Sequence, residues 1–231
     1  MRVVALLPMK ANSERVKGKN FRDFGGKPLF KWVLDTLLSV AEIDLIVINT
    51  DARHILAEYG LIDNERILIR DRNEEICGDL ISMNLIIKDD IKNIDSDIYL
   101  MTHTTNPFLS RHSVEAAIEK FQIAVKAEGA DSLFTVNKVQ DRFYDVDVQP
   151  INHDPANLIR TQDLDPWYQE NSNLYLFSKD SFYKTDARIG ANPTMLVTAP
   201  YESTDIDTPD DWELGEVMVE YYRKKGILSE L

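Results

Sequence analysis

Short runs of uninterrupted apolar residues alternate along this chain with longer segments that are apolar on one side only. The apolar runs predict five strands, at residues 2–7, 44–51, 66–70, 97–104 and 132–139. The one-sided segments predict helices at 28–38, 52–59 and 79–91 and from Ser110 onward. Continuous apolar strands separated by helices are typical of an open, mostly parallel sheet that is covered on both faces. The pattern therefore predicts a doubly wound α/β fold.

The alternation breaks between about residues 140 and 170. This stretch contains three prolines and short strand-like pieces, but no helical stripe. After it, a strand is predicted at 173–178 and a closing helix at 208–226, which starts at a Thr-Pro pair. Loops this long inside a compact domain are usually functional or bind a partner. We therefore expect a single domain over residues 1–231 with an inserted hairpin or arm at 140–170; a long surface loop is the alternative.

A cluster of positive charge follows the first predicted strand. The chain has a formal net charge of −13, yet residues 10–31 hold seven cations against two carboxylates. The acidic total argues against a protein that binds nucleic acid over its whole surface. In open α/β sheets, ligands bind beyond the carboxyl ends of the strands, which is where this cluster lies. The local charge therefore indicates a small anionic ligand.

The residues of this loop suit a polyphosphate. Asn12 and Ser13 allow tight turns that point backbone N–H groups inward. Lys10, Arg15 and Lys19 add compensating charge. The common phosphate motifs, G-x-G-x-x-G and G-x-x-x-x-G-K-[ST], are absent. The alternative is a solvated loop whose charges serve only solubility.

Two carboxylates near the carboxyl terminus, Asp205 and Asp207, are spaced for a metal ion. In an extended segment, residues two apart project from the same face. Mg²⁺ is commonly held by one or two carboxylates together with phosphate oxygens. The alternative is an acidic cluster that stabilises the N-terminus of the next helix. This alternative explains Asp210 and Asp211 well, but not the earlier pair, because that pair precedes the helix.

Other classes of site receive little support from the sequence. The four histidines lack metal-ligand spacing, and the single cysteine, Cys77, excludes a disulfide within the chain and fits a reducing compartment. No apolar stretch approaches the ~20 residues of a membrane-spanning helix. The apolar run at the N-terminus is interpreted as a strand rather than a signal peptide. We therefore expect a cytoplasmic protein with no nucleic-acid or membrane partner.

Six sequence blocks, taken in order, carry a family resemblance. They are LLPMKANSERVKGKN (6–20), FGGKPL (24–29), RNEEICGDLIS (72–82), HTTNPF (103–108), ENSNLYLF (170–177) and DIDTPDD (205–211). Each block alone is weak, but the ordered set extends over nearly the whole chain. It resembles the acylneuraminate cytidylyltransferases, also called CMP-sialic acid synthetases.

The resemblance implies roles for individual residues. Together with Lys10 and Asn12 of the basic loop, the expected nucleotide-binding residues are Ser13, Lys19 and Asn20 at the triphosphate and Arg72 and Ser82 at the base and ribose. The expected sugar-binding residues are His103, Asn171 and Arg160. Asp205 and Asp207 would hold Mg²⁺ and, with Lys19, form the catalytic set.

The resemblance also implies an architecture. The fold would be a doubly wound sheet of the nucleotide-diphospho-sugar transferase type. The arm at 140–170 would reach into a partner subunit, giving a homodimer, and Arg160 is the candidate for a basic residue added to the neighbour's sugar site.

The implied activity is nucleotidyl transfer from CTP to an acidic, sialic acid-like α-keto sugar of nine carbons, with release of pyrophosphate. Four departures from the family pattern leave the sugar and the base open: Met9-Lys10 replaces Ala-Arg, Glu14 replaces a cation, His103 replaces a glutamine, and Cys77 takes a small-residue position near the base-reading stretch. The alternatives are the same chemistry with 3-deoxy-manno-octulosonate, or with another nucleotide such as GTP and a different sugar. An alternative of another class is a non-catalytic nucleotide-binding or regulatory protein.

Overall fold

The fold is a layered α/β structure, seen in a computed structural model that describes residues 1–78 and 80–227. Its strands are β1 (Val3–Leu6), β2 (Asp23–Phe24), β3 (Lys27–Pro28), β4 (Leu45–Thr50), β5 (Ile67–Asp71), β6 (Ile98–Met101), β7 (Ser132–Val139), β8 (Trp167–Phe177) and β9 (Pro193–Val197). Its α-helices are α1 (Leu29–Ser39), α2 (Arg53–Glu58), α3 (Met83–Asn93), α4 (Arg111–Glu128), α5 (Lys179–Thr185) and α6 (Pro209–Lys225).

Seven of these strands form one sheet in the order β5-β4-β1-β6-β8-β7-β9. The strands β5, β4, β1 and β6 pair in parallel, and so do β7 and β9. Only β8 runs against its two neighbours in this sheet. The predicted mostly parallel sheet is therefore confirmed.

Helices cover both faces of the sheet. Leu34 of α1 and Phe121 of α4 lie in the same buried cluster as Leu7, just beyond β1. Ile87 of α3 lies in a second buried cluster with Leu6. Because consecutive residues of a strand point to opposite faces, Leu6 and Leu7 contribute to different cores. This arrangement explains why the strands are apolar throughout, and it confirms the doubly wound fold.

A third apolar cluster joins the β2/β3 hairpin to α6. The ring of Phe24 meets the ring of Trp212 edge to face, with centroids 5.1 Å apart. The turn between the two short strands needs glycine, because Gly25 has a φ of +62° and a Cβ there would lie 2.6 Å from a methyl carbon of Val219. The FGGKPL block is thus a tight turn that docks the hairpin against the closing helix.

The carboxyl ends of β1, β4 and β6 meet at one edge of the sheet. Beyond β1 the chain continues beside β4, because the Met9 amide donates to the carbonyl oxygen of Asn49 at 3.1 Å. The amide of Arg72, just after β5, donates to the carbonyl of Thr50 at 2.8 Å. The basic loop therefore starts within the ligand-binding edge that the sequence predicts.

Several element boundaries differ from the predicted ones. The helix predicted at 79–91 begins at Met83, because the Ser82 hydroxyl accepts a hydrogen bond from the Asn84 amide and caps it; Asp79 lies outside the described residues. The strand predicted at 173–178 begins at Trp167, because its exposed first half pairs with β7. The elements α5 (Lys179–Thr185) and β9 (Pro193–Val197) lie in a stretch for which the sequence pattern predicts no helix or strand.

The segment expected to form an arm, 140–170, is mostly irregular up to Pro166. It contains an isolated bridge between Tyr144 and Pro150 and a short 3₁₀ turn at Thr161–Asp163. Its last four residues belong to β8. No helix in the described part of the chain is both long and apolar enough to cross a membrane.

Candidate active site

A cleft of about 320 Å³ opens at the carboxyl edge of the sheet. It brings together parts of the chain that are far apart in sequence: the basic loop, the segment after β5, the start of α3, the end of β6 and the acidic segment before α6. Polar side chains that line it are Lys10, Ser13, Glu14, Arg15, Lys19, Asn20, Arg72, Thr104, Thr105 and Asp207. The cleft is therefore a basic, polar site that also holds two carboxylates, those of Glu14 and Asp207.

Asn20 closes the basic loop into a fixed shape. Its buried amide nitrogen donates to the carbonyl oxygen of Lys10 at 2.9 Å, and its amide oxygen accepts from the Thr104 hydroxyl at 2.7 Å. The Ala11 amide, in turn, donates to the carboxylate of Asp51 at 2.7 Å. The two ends of the loop are thus held to each other and to the ends of β4 and β6.

Arg72 connects two strand ends beneath the cleft. Its guanidinium donates to the carbonyl oxygen of Met9 at 3.0 Å and to the carbonyl and side-chain oxygens of Asn49 at 2.8 and 2.9 Å. Burial lowers the pKa of Arg72, although nearby carboxylates oppose the shift. Since an arginine keeps its charge even so, Arg72 adds a fixed positive charge to the cleft.

Asp207 is held between two cations of the basic loop. Lys19 Nζ donates to Asp207 Oδ1 at 2.7 Å and to the carbonyl oxygen of Ile206 at 2.7 Å, and Arg15 Nη2 donates to Asp207 Oδ2 at 2.8 Å. Partial burial raises the pKa of Asp207, but the two cations outweigh it and hold the pKa below its usual value. Asp207 is therefore ionised at neutral pH.

The segment that carries Asp207 is fixed at both ends. Upstream, the buried carboxylate of Glu202 accepts hydrogen bonds from the backbone amide and hydroxyl of Ser110 at the start of α4. Downstream, Asp211 accepts from the amides of Asp207 and Thr208 at 3.1 and 2.7 Å, in a capping box that starts α6. Asp211 therefore does help to start the helix, while Asp207 faces the cleft.

Asp205 lies beside Asp207 but does not line the cleft. Enclosure of its carboxylate and the like charge of Asp207 raise the pKa of Asp205, and a hydrogen bond with Thr105 opposes the shift. Among the described residues, no group of three or more His, Cys, Asp or Glu side chains is arranged to hold a metal ion. Two adjacent carboxylates still fit Mg²⁺, because that ion takes most of its other ligands from phosphates and water.

The expected nucleotide-binding residues fall into two groups. Five of them line the cleft: Lys10, Ser13, Lys19, Asn20 and Arg72. Asn12 is exposed on the loop and does not line it. Ser82 caps α3, so its hydroxyl serves the helix, while its neighbours Ile81 and Met83 line the cleft.

None of the three expected sugar-binding residues lines the cleft. Asn171 donates to side-chain oxygens of Asn137 and Thr198 at 3.0 and 2.8 Å, so both of its N–H groups are used within the chain. Arg160 is an exposed residue of the arm and pairs with Asp163 at 2.7 Å.

His103 follows β6 and contacts Arg188, which belongs to a second polar cluster with Tyr175, Ser172 and Glu170. Burial, followed by the charge of Arg188, lowers the pKa of His103 to about 4. The charges of Asp207 and Lys19 act on the same imidazole, which places His103 close to the cationic end of the cleft. His103 is therefore neutral at physiological pH.

The second polar cluster surrounds an irregularity in β8. The pairing of β7 with β8 shifts register between Phe134 and Val136, and Ser172 in the shifted part of β8 has a φ of +58°. Beside it, the hydroxyl of Tyr175 contacts Ser172 Oγ at 3.2 Å and is hydrogen-bonded to Glu170. Bulges of this kind are frequent next to active sites, where they redirect side chains.

Sequence reasoning missed several residues of the site. Thr104 and the anchor Glu202 gave no signal, because their contacts join segments 84 and 92 residues apart. Arg15 was identified only as part of the loop's charge, and its pairing with Asp207 across 192 residues was not visible. Arg188 lies in a stretch that matches none of the six blocks.

Comparisons with known proteins agree with this geometry. The sequence profile described as cytidylyltransferase matches residues 4–229 of the chain. The CMP-N,N'-diacetyllegionaminic acid synthase of Legionella pneumophila is 26% identical over 239 aligned positions, covering 95% of this chain and 97% of that protein. The N-acylneuraminate cytidylyltransferase of Oncorhynchus mykiss is 25% identical over 94% of this chain, and the match covers 50% of that longer protein.

A solved structure of a CMP:2-keto-3-deoxy-manno-octonic acid synthetase with CTP also has this fold. It superposes with a TM-score of 0.68 and covers 96% of this chain and 99% of that one. At 14% sequence identity, this likeness shows the fold alone. The matches confirm both the α/β fold and the resemblance drawn from the six blocks.

Proposed function

This chain belongs to the cytidylyltransferase family, and on that basis we propose that it transfers CMP from CTP to an acidic, sialic acid-like α-keto sugar of nine carbons, releasing pyrophosphate. The observation that carries the proposal is the cleft in which Lys19, Arg15 and Asp207 form one ion-paired group beside Arg72. Relatives named for two nine-carbon sugar acids support the class of acceptor.

In this mechanism, the chain mainly positions the reactants and stabilises charge. The anomeric hydroxyl of the sugar attacks the α-phosphate in line, and the bond to pyrophosphate breaks. Lys10 and Lys19, which both line the cleft, would stabilise the leaving pyrophosphate through their charges. Lys19 and Arg15 are paired with Asp207 in the free protein, so binding the triphosphate exchanges one anionic partner for another.

Asp205 and Asp207 are the residues that would hold Mg²⁺. When bound, the ion would neutralise charge on the triphosphate and orient it. The chain's own contribution is to keep Asp207 ionised through Lys19 and Arg15 and to fix its backbone through Asp211.

The arm at 140–170 is proposed to dimerise with a second copy of the chain. Eight of the 21 exposed large apolar side chains among the described residues lie between 144 and 168: Tyr144, Val146, Val148, Ile151, Leu158, Ile159, Trp167 and Tyr168. Such a concentration on one segment is typical of an interface rather than of scattered surface residues. The isolation of Arg160 from its own cleft agrees with a role across that interface. The proposal includes a cytoplasmic location, which rests on the lone cysteine.

A substrate screen tests the activity. The wild-type protein is incubated with Mg²⁺, with CTP, UTP, GTP or ATP, and with N-acetylneuraminate, N,N'-diacetyllegionaminate or 3-deoxy-manno-octulosonate, while pyrophosphate is measured. We expect release with CTP and a nine-carbon acid. Release only with the eight-carbon acid, or only with another nucleotide, would establish an alternative substrate. Tight CTP binding without release from any pair would favour the non-catalytic alternative.

A further inference from the structure

Arg188 forms the centre of the second polar cluster, where it contacts both His103 and Tyr175. It lies in the segment between α5 and β9. Its guanidinium carbon lies 3.8 Å from the centroid of the Tyr175 ring, and Nη2 donates to the Tyr175 hydroxyl at 3.0 Å. Nη1 lies 3.4 Å from His103 Nε2. The planar guanidinium is therefore held in one orientation by a ring, a hydroxyl and an imidazole.

Among the described residues, the one carboxylate within ion-pair distance of the Arg188 guanidinium does not accept a hydrogen bond from it. The carboxylate of Glu170 lies 3.9 Å from Nη2, beyond ordinary hydrogen-bond distance, and accepts instead from the Tyr175 hydroxyl. Burial raises the pKa of Tyr175 to about 12, so its hydroxyl stays protonated and carries no compensating charge. His103 is neutral as well. About a fifth of the Arg188 side chain (21%) is exposed, which leaves the guanidinium accessible to a ligand.

The location of Arg188 separates it from the residues that contact the triphosphate. Lys10, Arg15, Lys19 and Arg72 all line the basic cleft, and Lys19 and Arg15 are committed to Asp207. Arg188 does not line that cleft, but it contacts His103, whose imidazole is also close enough to Lys19 and Asp207 to be influenced by their charges. A sugar bound beside His103 would therefore lie near both the basic cleft and Arg188.

We propose that Arg188 binds the carboxylate of the acidic sugar and so determines which acceptors the protein uses. This inference rests on the proposed function, because it assumes an acceptor acid. In an α-keto sugar acid, the carboxylate is attached to the same carbon as the reacting hydroxyl, so its binding group must lie close to the reaction centre. A pre-oriented guanidinium suits a carboxylate better than an ammonium does, because it presents two parallel N–H groups.

A structural role for Arg188 is the competing explanation. Stacking on Tyr175 could serve only to hold the irregular part of β8 in place. The two explanations differ in one measurable respect: a carboxylate-binding residue distinguishes an acid from its uncharged amide, whereas a packing residue does not.

The test is a thermodynamic cycle on binding. Binding of N-acetylneuraminate, of N,N'-diacetyllegionaminate and of their C1 carboxamides is measured by calorimetry, with a non-hydrolysable CTP analogue present. The proteins are wild type, Arg188→Met, Arg188→Lys and the control Arg111→Met, which removes an exposed arginine paired with Glu115 on α4. Thermal midpoints and the Kd of the CTP analogue alone are recorded for each.

The expected result is selective for the acid. Arg188→Met should weaken the better-bound acid by about tenfold or more, the amide by about twofold or less, and leave the Kd of the CTP analogue nearly unchanged. Arg188→Lys should retain part of the affinity for the acid, and Arg111→Met should match wild type. Equal weakening of acid and amide, no weakening of either, or no preference of the wild type for the acid would overturn the proposal.

Failure of this inference and failure of the proposed function give different results. If the wild-type protein releases pyrophosphate but the Arg188→Met variant still prefers the acid, the proposed function stands and the role of Arg188 is refuted. If the protein binds the acid through Arg188 but releases no pyrophosphate, the proposed transferase activity is refuted and the carboxylate-binding role of Arg188 stands.

Discussion

At the scale of single residues, Asp207 is the side chain on which most of the chemistry depends. It alone among the residues of the acidic segment lines the cleft, and it pairs with both Lys19 and Arg15. Asp207→Asn keeps the shape of the side chain and removes its charge. We expect kcat to fall on the order of 100-fold and the Mg²⁺ concentration for half-maximal rate to rise, because the variant would lose one of the two carboxylates proposed to hold the ion.

The control for Asp207→Asn is Asp210→Asn, an exposed carboxylate in the first turn of α6. This variant should lose a few tenths of a kcal/mol of stability, at most about 1, from the helix dipole and keep its kcat. CTP binding by Asp207→Asn should remain close to that of wild type, because Lys19 and Arg15 are then freed for the triphosphate. A near-normal kcat for Asp207→Asn would contradict the assignment.

The lowered pKa of His103 predicts how the free energy of unfolding depends on pH. Its pKa in the folded protein is about 4, below the ordinary histidine value of 6.5 that applies to the unfolded chain. Between these values the unfolded chain binds more protons, so this histidine makes the free energy of unfolding fall as the pH falls. His103→Gln should therefore lose less stability than wild type when the pH is lowered from about 7 to about 4.5.

Denaturant unfolding at both pH values measures this difference, with the exposed His112→Gln variant as the control. Glutamine is also the residue that the family resemblance places at this position, so His103→Gln should retain activity. An equal loss of stability on acidification in wild type and His103→Gln would show that the histidine is not buried in its neutral form.

At the scale of elements, two glycines with the same φ allow the stability cost of backbone strain to be distinguished from the cost of a steric overlap. Gly18 in the basic loop and Gly25 in the β2/β3 turn both have a φ of +62°. A Cβ at Gly18 would meet nothing within 4 Å, whereas one at Gly25 would overlap Val219 of α6. Alanine at Gly18 should cost about 1 kcal/mol of stability, and alanine at Gly25 about 1–3 kcal/mol more.

Urea unfolding of the two variants checks this difference, and the Kd for CTP gives a second comparison. Gly18→Ala changes the loop that lines the cleft and should weaken CTP binding. Gly25→Ala changes a hairpin whose residues do not line the cleft and should leave the Kd closer to that of wild type. Equal losses of stability in the two variants would mean that the contact between Gly25 and α6 does not constrain the turn.

The local parts of the site could be predicted from the sequence, but the contacts between them could not. The basic loop is visible because its charge is opposite to that of the whole chain, and Asp205 and Asp207 because of their spacing. The pairing of Asp207 with Lys19 needs two segments 188 residues apart to meet. Asn171 uses its side-chain N–H groups in hydrogen bonds within the chain, and Arg188 packs on Tyr175. Both contacts depend on the irregular part of β8, which the periodicity of the residues does not indicate.

At the scale of the whole molecule, the sheet could be predicted largely because its strands are buried on both faces and therefore apolar throughout. The first half of β8 could not be predicted, because Trp167 to Glu170 are all exposed and the sequence pattern there resembles that of a loop. Strand order and the reversed direction of β8 depend on long-range pairing, for which the sequence carries no local signal.

The exposed apolar residues of the arm predict an assembly of two chains. We expect sedimentation to show a dimer of the wild-type protein at micromolar concentration. Val146 and Leu158 are 94% and 71% exposed. The double variant Val146→Asp/Leu158→Asp should be a monomer, because dimerisation would bury two unpaired charges. Asp at Val217, equally apolar and 66% exposed on α6, should leave the dimer intact. A wild-type monomer would refute the role proposed for the arm.

The most direct test of the central claim, that this cleft joins CMP to an acidic sugar, is identification of the product. The wild-type protein, CTP labelled with ³²P at the α-phosphate, Mg²⁺ and a nine-carbon α-keto acid are incubated together, and the products are analysed by mass spectrometry and ³¹P NMR. We expect a single labelled phosphodiester between CMP and the anomeric carbon of the intact sugar, with one pyrophosphate released for each. Labelled CMP or CDP with unmodified sugar, or unchanged CTP with every acid tested, would contradict it.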